Sequence, residues 1–126
     1  MFSHVVVGSN NLEAAMKFYD ATFAALGEKP GAHMGDRLIY QFRGGANFIV
    51  TRPINGEPAT VANGATIGFR ADTPEDVQAW HEAGCESGGA TCEDPPGVRD
   101  VGAVKVYLAY LRDPDGNKLC AMRMVG

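Results

Sequence analysis

The chain is 126 residues long and 45% apolar, with 11 basic and 15 acidic side chains, a formal charge of −4, 16 Gly, 7 Pro and 3 Cys. That length fits one domain able to bury about two-thirds of its unfolded surface, and no apolar run approaches the ~20 residues of a membrane-spanning helix. No basic cluster is gathered to hold nucleic acid, no basic leader precedes an apolar segment, and an odd set of cysteines without Cys-x-x-Cys argues against a disulfide framework or zinc knuckle. The expectation is therefore a soluble, cytoplasmic protein with reduced thiols, no nucleic-acid partner and no membrane partner.

The first segment, His4 to Gly8, alternates with a period of two and is predicted to be a strand. Asn10 followed three residues later by Glu13 has the form of a capping box. Leu12, Ala15, Met16, Tyr19, Phe23 and Leu26 then recur at spacings of three and four, an amphipathic helix stopped at Gly27. Past Pro30-Gly31, the alternation of Leu38, Tyr40 and Phe42 predicts a strand that is joined through Gly44-Gly45 to a second strand, Asn47 to Thr51.

From residue 65 the pattern repeats. Thr66 to Phe69 is a strand, and Asp72-Thr73-Pro74-Glu75 supplies a cap, a proline at the first helical position and an acidic first turn. Val77, Trp80 and Gly84 mark the buried stripe of a second helix ending by Gly88-Gly89. A Pro/Gly-rich loop leads to a strand from Val104 to Leu111, the turn Asp113-Pro114-Asp115-Gly116-Asn117, and a last strand from Lys118 to Met124. Superposing the halves places His4 on Thr66, Phe18 on Trp80, Asn47 on Asn117 and Val50 on Cys120. One domain, 1–126, is expected from a module of about residues 1–53, a linker of about 54–64 and a second module of about 65–126, neither half having enough core to stand alone.

Alternation also sorts the side chains. Val5, Val7, Ile49, Ile67, Phe69, Leu119 and Ala121 are assigned to a face lying under the helices, and His4, Val6, Val50, Thr66, Gly68, Cys120, Met122 and Met124 to the opposite face. That second, partly apolar surface with one imidazole and one thiol suits an apolar or aromatic small molecule.

Ser3 to Leu12 with Phe18-Tyr19, Ala71 to Val77 with Trp80-His81, and Arg112 to Leu119 resemble the vicinal oxygen chelate superfamily, the glyoxalase, bleomycin-resistance and extradiol dioxygenase group. The resemblance spans nearly the whole chain, and its most specific piece is Asp113-Pro114-Asp115-Gly116-Asn117. It implies an α+β fold of paired βαβββ modules forming a half-open barrel, with helices on the convex side and a ligand groove on the concave side, and it allows a homodimer. In metal-dependent members each first strand gives one ligand, commonly His, and each last strand another, commonly Glu or Gln. Carried over, these positions fall on His4, Thr66, Val50 and Cys120.

Only His4 is a usual ligand in its place. Val50 cannot coordinate and Thr66 offers a neutral hydroxyl, so an eroded metal site is expected, with His4 and Cys120 the sole metal candidates and no cofactor required. His4 is also the candidate catalytic base. Asp113 and Asp115 have the form of a calcium loop, but its twelfth position is Met124, and a plain turn is expected. His33 and His81 are read as surface or rim residues. Arg37, Arg43, Arg52 and Arg99 are read as solvated, although each could hold a carboxylate. The serines, Ser3, Ser9 and Ser87, lie in no Gly-x-Ser-x-Gly, and no Gly-rich phosphate loop precedes a helix, which removes hydrolase and nucleotide-dependent templates.

The expected function is binding of a small, partly apolar molecule in a groove formed by His4, Val50, Thr66, Cys120 and Met122. The alternatives are a lyase or isomerase of the lactoylglutathione lyase type using a divalent metal, and a non-catalytic interaction module. Specificity is expected to lie in loops such as Gly27 to Asp36 and Gly88 to Gly102.

Overall fold

A computed structural model describes residues 1–125. Its elements in chain order are β1 (His4–Gly8), α1 (Leu12–Ala25), β2 (Ala32–Met34), β3 (Arg37–Gln41), β4 (Asn47–Thr51), β5 (Ile67–Arg70), α2 (Pro74–Glu86), β6 (Ala90–Thr91), β7 (Gly97–Val101), β8 (Val104–Arg112) and β9 (Lys118–Met124).

The repeat is realised as topology. The first sheet runs β1-β4-β3-β2 and the second β5-β9-β8-β6, with β7 also paired to β8. In each sheet the first strand lies parallel to the last, β1 on β4 and β5 on β9, and the remaining pairs are antiparallel. Strands β6 and β7 occupy one edge of β8, so together they act as a single edge strand interrupted at Cys92–Pro96. Among the described residues the two sheets share no strand pairing, and the barrel is not closed.

Helix α1 begins at Asn11, not Asn10: the Asn11 side chain accepts from the Ala14 amide. Asn10 instead fastens the linker, donating from Nδ2 to the Ala59 carbonyl at 3.2 Å and accepting from the Ala59 amide at 2.7 Å. The buried residues of α1 include Phe18 and Thr22 beside the expected Leu12, Ala15, Tyr19 and Phe23. Its apolar stripe is wider than an ordinary sheet-covering helix needs because α1 also packs on α2. A Cβ built on Gly84 would lie 3.1 Å from the Phe18 ring, so glycine is what lets the helices approach there. Helix α2 is capped by Thr73, whose hydroxyl accepts from the Asp76 amide, and has Pro74 in its first turn. It buries only Val77, Trp80 and Gly84.

One core joins the halves. Phe18, Tyr19 and Phe23 of α1, Tyr40 and Phe48 of the first sheet, and Trp80, Leu111 and Leu119 of the second half belong to the same buried cluster. Phe23 sits 5.1 Å from Phe69 and 5.4 Å from Phe48, centroid to centroid, in edge-on geometry with each, so one ring bridges the modules.

The Asp113–Asn117 turn is a second joint between them. Asp113 is buried, and its carboxylate accepts from the backbone amides of Asp115 and Asn117, from Asn117 Nδ2 and from the Tyr19 hydroxyl at 2.6 Å. Asn117 Nδ2 also reaches the Gly8 carbonyl, and Asp115 accepts from the Asn10 amide. Burial and the neighbouring Asp113 carboxylate push the Tyr19 phenol well above its ordinary pKa, so it serves as a donor at every physiological pH. The motif that resembles a calcium loop is a structural clasp.

Candidate functional site

Each sheet has one face against the helices and one left open. Helix-side residues are Val5, Val7, Leu38, Tyr40, Phe48 and Val50 in the first sheet, and Ile67, Phe69, Ala109, Leu111, Leu119 and Ala121 in the second. The open faces carry His4, Val6, Asn47 and Ile49 on one side and Gly68, Arg70, Cys120, Met122 and Met124 on the other.

This corrects the placement of Val50. It is fully buried among the helix-side residues, and Ile49 takes the open-face position. The register explains why. Val6 pairs with Ile49 and Gly68 pairs with Cys120, so the residue equivalent to Cys120 is Ile49, and Asn47 is equivalent to Lys118 rather than Asn117. A slip of one residue exchanges the two faces of a strand; the turns before β4 and β9 span the same five residues, 42–46 and 113–117, so aligning their ends puts Asn47 on Lys118 and Ile49 on Cys120.

His4, Cys120 and Met122 lie at open-face positions of β1 and β9. His4 is exposed at the start of β1, with Nδ1 within 2.8 Å of the Ser3 hydroxyl. Thr66 lies just before β5 and is exposed. Cys120 is 6% exposed and clusters with Val106 and Leu108, with Tyr110 packed beside them. Its thiol donates to the Ala121 carbonyl at 3.6 Å. Burial, reinforced by the Glu93 carboxylate and opposed by Lys118 and Arg99, pushes its pKa up to about 11, so the sulfur keeps its proton at neutral pH.

Glu93 stands over this part of the sheet with φ +57° and pairs with Lys118, whose ammonium lies 4.9 Å above the Tyr110 ring. At the ends of β5 and β9, a cavity of about 410 Å³ is formed by Gly68, Arg70, Met122 and Met124 of the open face together with Phe69 and Arg123. Arg70 and Arg123 were missed in the sequence reading. The alternation that put Thr66 and Gly68 on the open face also carries Arg70 there, and this was the available signal. The loops expected to set specificity hold strands: β2 lies in the first, and β6 and β7 lie in the second.

The four donor positions of a metal-dependent member are thus His4, Thr66, Ile49 and Cys120. A hydrocarbon, a neutral hydroxyl and a protonated, buried thiol do not complete a divalent site around one imidazole. Among the described residues no three His, Cys, Asp or Glu side chains converge as a metal would require. The residues present do not fit the group.

A chain of paired β-α-β modules with open, cavity-bearing sheet faces defines a class of protein, and the comparisons agree. The family described as Glyoxalase/Bleomycin resistance protein/Dioxygenase superfamily matches residues 1–121, and the chain belongs to it. A crystal structure of a glyoxalase/bleomycin resistance protein from Albidiferax ferrireducens T118 is 55% identical, with a TM-score of 0.94 over 97% of this chain and 98% of that one. A glyoxalase-related enzyme from Fulvimarina pelagi shares the fold at 19% identity, with a TM-score of 0.73 over 97% of this chain and 86% of that one. A family enzyme from Burkholderia phytofirmans PsJN shares it at 16% identity, with a TM-score of 0.72 over 98% of both chains. A search of curated proteins finds no match. No helix among the described residues is long and apolar enough to cross a membrane.

Proposed function

We propose that this chain is a glyoxalase/bleomycin-resistance-like binding protein that takes a small, partly apolar molecule on the open face of its second sheet, without a family-type metal. The observation that carries this reading is the donor set: Ile49 stands opposite Val6 where a carboxylate or amide would be needed, and Cys120 keeps its proton. Chemistry of the lactoylglutathione lyase type polarises vicinal oxygens with a Lewis acid, and these four side chains do not hold one. Met122 and Met124 are 39% and 57% exposed beside the cavity they help form, and flexible thioethers adapt to apolar ligands of varied shape. His4 contributes a polar group to the neighbouring open face, not a ligand to a metal.

A thermal-shift screen of small apolar and aromatic molecules tests the proposal, since a ligand at 100 times its Kd adds about 2.7 kcal/mol to stability. Stabilisation that persists in EDTA and is lost in Met122→Glu supports it. Stabilisation abolished by EDTA, or unaffected by Met122→Glu, contradicts it.

A further inference from the structure

A second cavity, of about 460 Å³, opens where the two halves meet. Phe2, Phe42, Phe48 and Phe69 form its aromatic walls, and Asn47 and Arg70 line it with polar groups. Its volume lies within the range of small-molecule sites. It meets the open-face cavity only along β5, at Gly68, Phe69 and Arg70.

The aromatic walls are not stacked flat on one another. Phe69 stands edge-on to Phe42 at 6.1 Å and to Phe48 at 5.5 Å, while Phe42 and Phe48 lie near-parallel at 6.5 Å. An aromatic guest would find both ring faces and ring edges to pack on, the two arrangements that aromatic pairs favour. Phe2 is 85% exposed, so the near wall is an apolar ring held in water until something covers it.

The charges at the rim divide unequally. Arg43 holds both nearby carboxylates, Glu28 at 3.3 Å and Asp72 at 3.7 Å, and so ties the end of α1 to the segment before α2. Arg70, among the described residues, has neither an ion pair nor a hydrogen bond from its side chain, and the Asn47 carboxamide has no hydrogen-bond partner. The cavity therefore offers one uncommitted guanidinium and one uncommitted amide beside a cluster of rings, while its two acidic groups are both turned to Arg43.

We infer that this inter-module cavity binds a small aromatic carboxylate, with the ring among Phe2, Phe42 and Phe69 and the carboxylate on the Arg70 guanidinium. A guanidinium suits a carboxylate because its fork of N–H donors matches the two oxygens. A neutral aromatic molecule leaves Arg70 unused, and an aliphatic anion leaves the rings unused. The site adjoins the one proposed on the open face, sharing Gly68, Phe69 and Arg70 with it, and is told apart from it by Phe2 and Asn47 on this side and Met122 and Met124 on the other.

The test is an NMR titration of the full chain with phenylacetate, benzyl alcohol and acetate, following backbone amides and methionine methyls. Phenylacetate is expected to shift the Phe2, Asn47 and Arg70 amides and to leave the Met122 and Met124 methyls in place. Benzyl alcohol and acetate are expected to bind about tenfold more weakly, and Arg70→Gln to weaken phenylacetate by about tenfold, the loss of a charge-assisted hydrogen bond. Benzyl alcohol binding should be unchanged in that variant. The inference is overturned by no response to millimolar phenylacetate, by shifts confined to Met122 and Met124, or by an Arg70→Gln variant that binds phenylacetate as the parent does.

Discussion

The two halves share a strand order but hold themselves together by different means. In the first, order comes from rings: Phe18, Tyr19 and Phe23 on α1 are fully buried, and Phe23 alone approaches Tyr40, Phe42, Phe48 and Phe69. In the second, α2 buries little beyond Val77, Trp80 and Gly84, and order comes from the hydrogen-bonded Asp113–Asn117 turn and from the tight approach of Gly84 to Leu111. The halves meet where these devices touch, at the Tyr19 hydroxyl and the Asp113 carboxylate. Duplicated topology thus persists while the two copies share one core and one hydrogen-bonded joint.

The largest test of that joint is Asp113→Ala. It strands the buried Tyr19 hydroxyl and the part-buried backbone amides of Asp115 and Asn117, and takes one of two acceptors from Asn117 Nδ2, so a loss of about 3–4 kcal/mol is expected in urea unfolding. Tyr19→Phe removes one donor and should cost about 1–2 kcal/mol. In the double variant the losses should fall short of their sum, because both act through one network; strict additivity would mean that the clasp does not couple the halves.

Glycine separates the two regions next. A Cβ at Gly89 would lie 2.4 Å from the Phe18 ring and 2.9 Å from the carbonyls of Gly84 and Arg112, whereas at Gly44 it meets nothing within 4 Å. Gly89→Ala is expected to cost about 2–3 kcal/mol by overpacking, and Gly44→Ala less than about 0.5 kcal/mol, as for an open surface position. Equal effects in thermal melts would break the contrast between a closely packed second half and an open turn in the first.

Much of this was legible in the sequence. The order of strands and helices, the repeat and the turn follow from periodicity and from Gly, Pro and Asx placement. The faces of β1, β5 and β9 follow from alternation. What failed was the face of β4. Phe48, Ile49 and Val50 are all apolar and all buried, so the run carries no alternation to fix its phase, and only pairing with Val6 decides that Ile49 faces outward. Strands β2, β6 and β7 were missed because they are short edge strands rich in Gly or polar residues, whose pairing is set by β3 and β8 more than by their own propensity. Asn10 and Asn11 are both good caps, and the linker contact to Ala59 that decides between them is invisible to local reading.

The open faces differ in their thiol chemistry as well, with smaller expected effects. Cys120 keeps its proton to about 11 in the folded chain, against an ordinary 9.0. Between those values the unfolded chain gives up the proton first. The thiol's contribution to stability is therefore complete below pH 9 and lost as pH rises towards 11. The buried phenols Tyr19 and Tyr40, both raised, extend the loss to higher pH. Cys120→Ala should flatten the stability curve over the first part of that range; an unchanged slope would place the thiol in water. Alkylation by iodoacetamide at pH 8 should mark the exposed Cys85 well before Cys120, read by mass spectrometry. On the acid side burial lowers the His81 pKa, so stability should decline slightly as pH falls below the ordinary histidine value. His81→Gln should remove that slope.

Ile49 stands opposite Val6, where a metal-dependent relative would need a donor. Calorimetric titration of the purified chain with Mn²⁺, Ni²⁺ and Zn²⁺ tests that deficit directly, with His4→Ala and the donor-restoring pair Ile49→Glu with Cys120→Glu run alongside. No stoichiometric ion held by His4 is expected in the parent chain, and divalent binding should tighten once carboxylates occupy those two positions. One ion per chain bound by the parent with micromolar or better affinity, and lost in His4→Ala, would contradict that expectation.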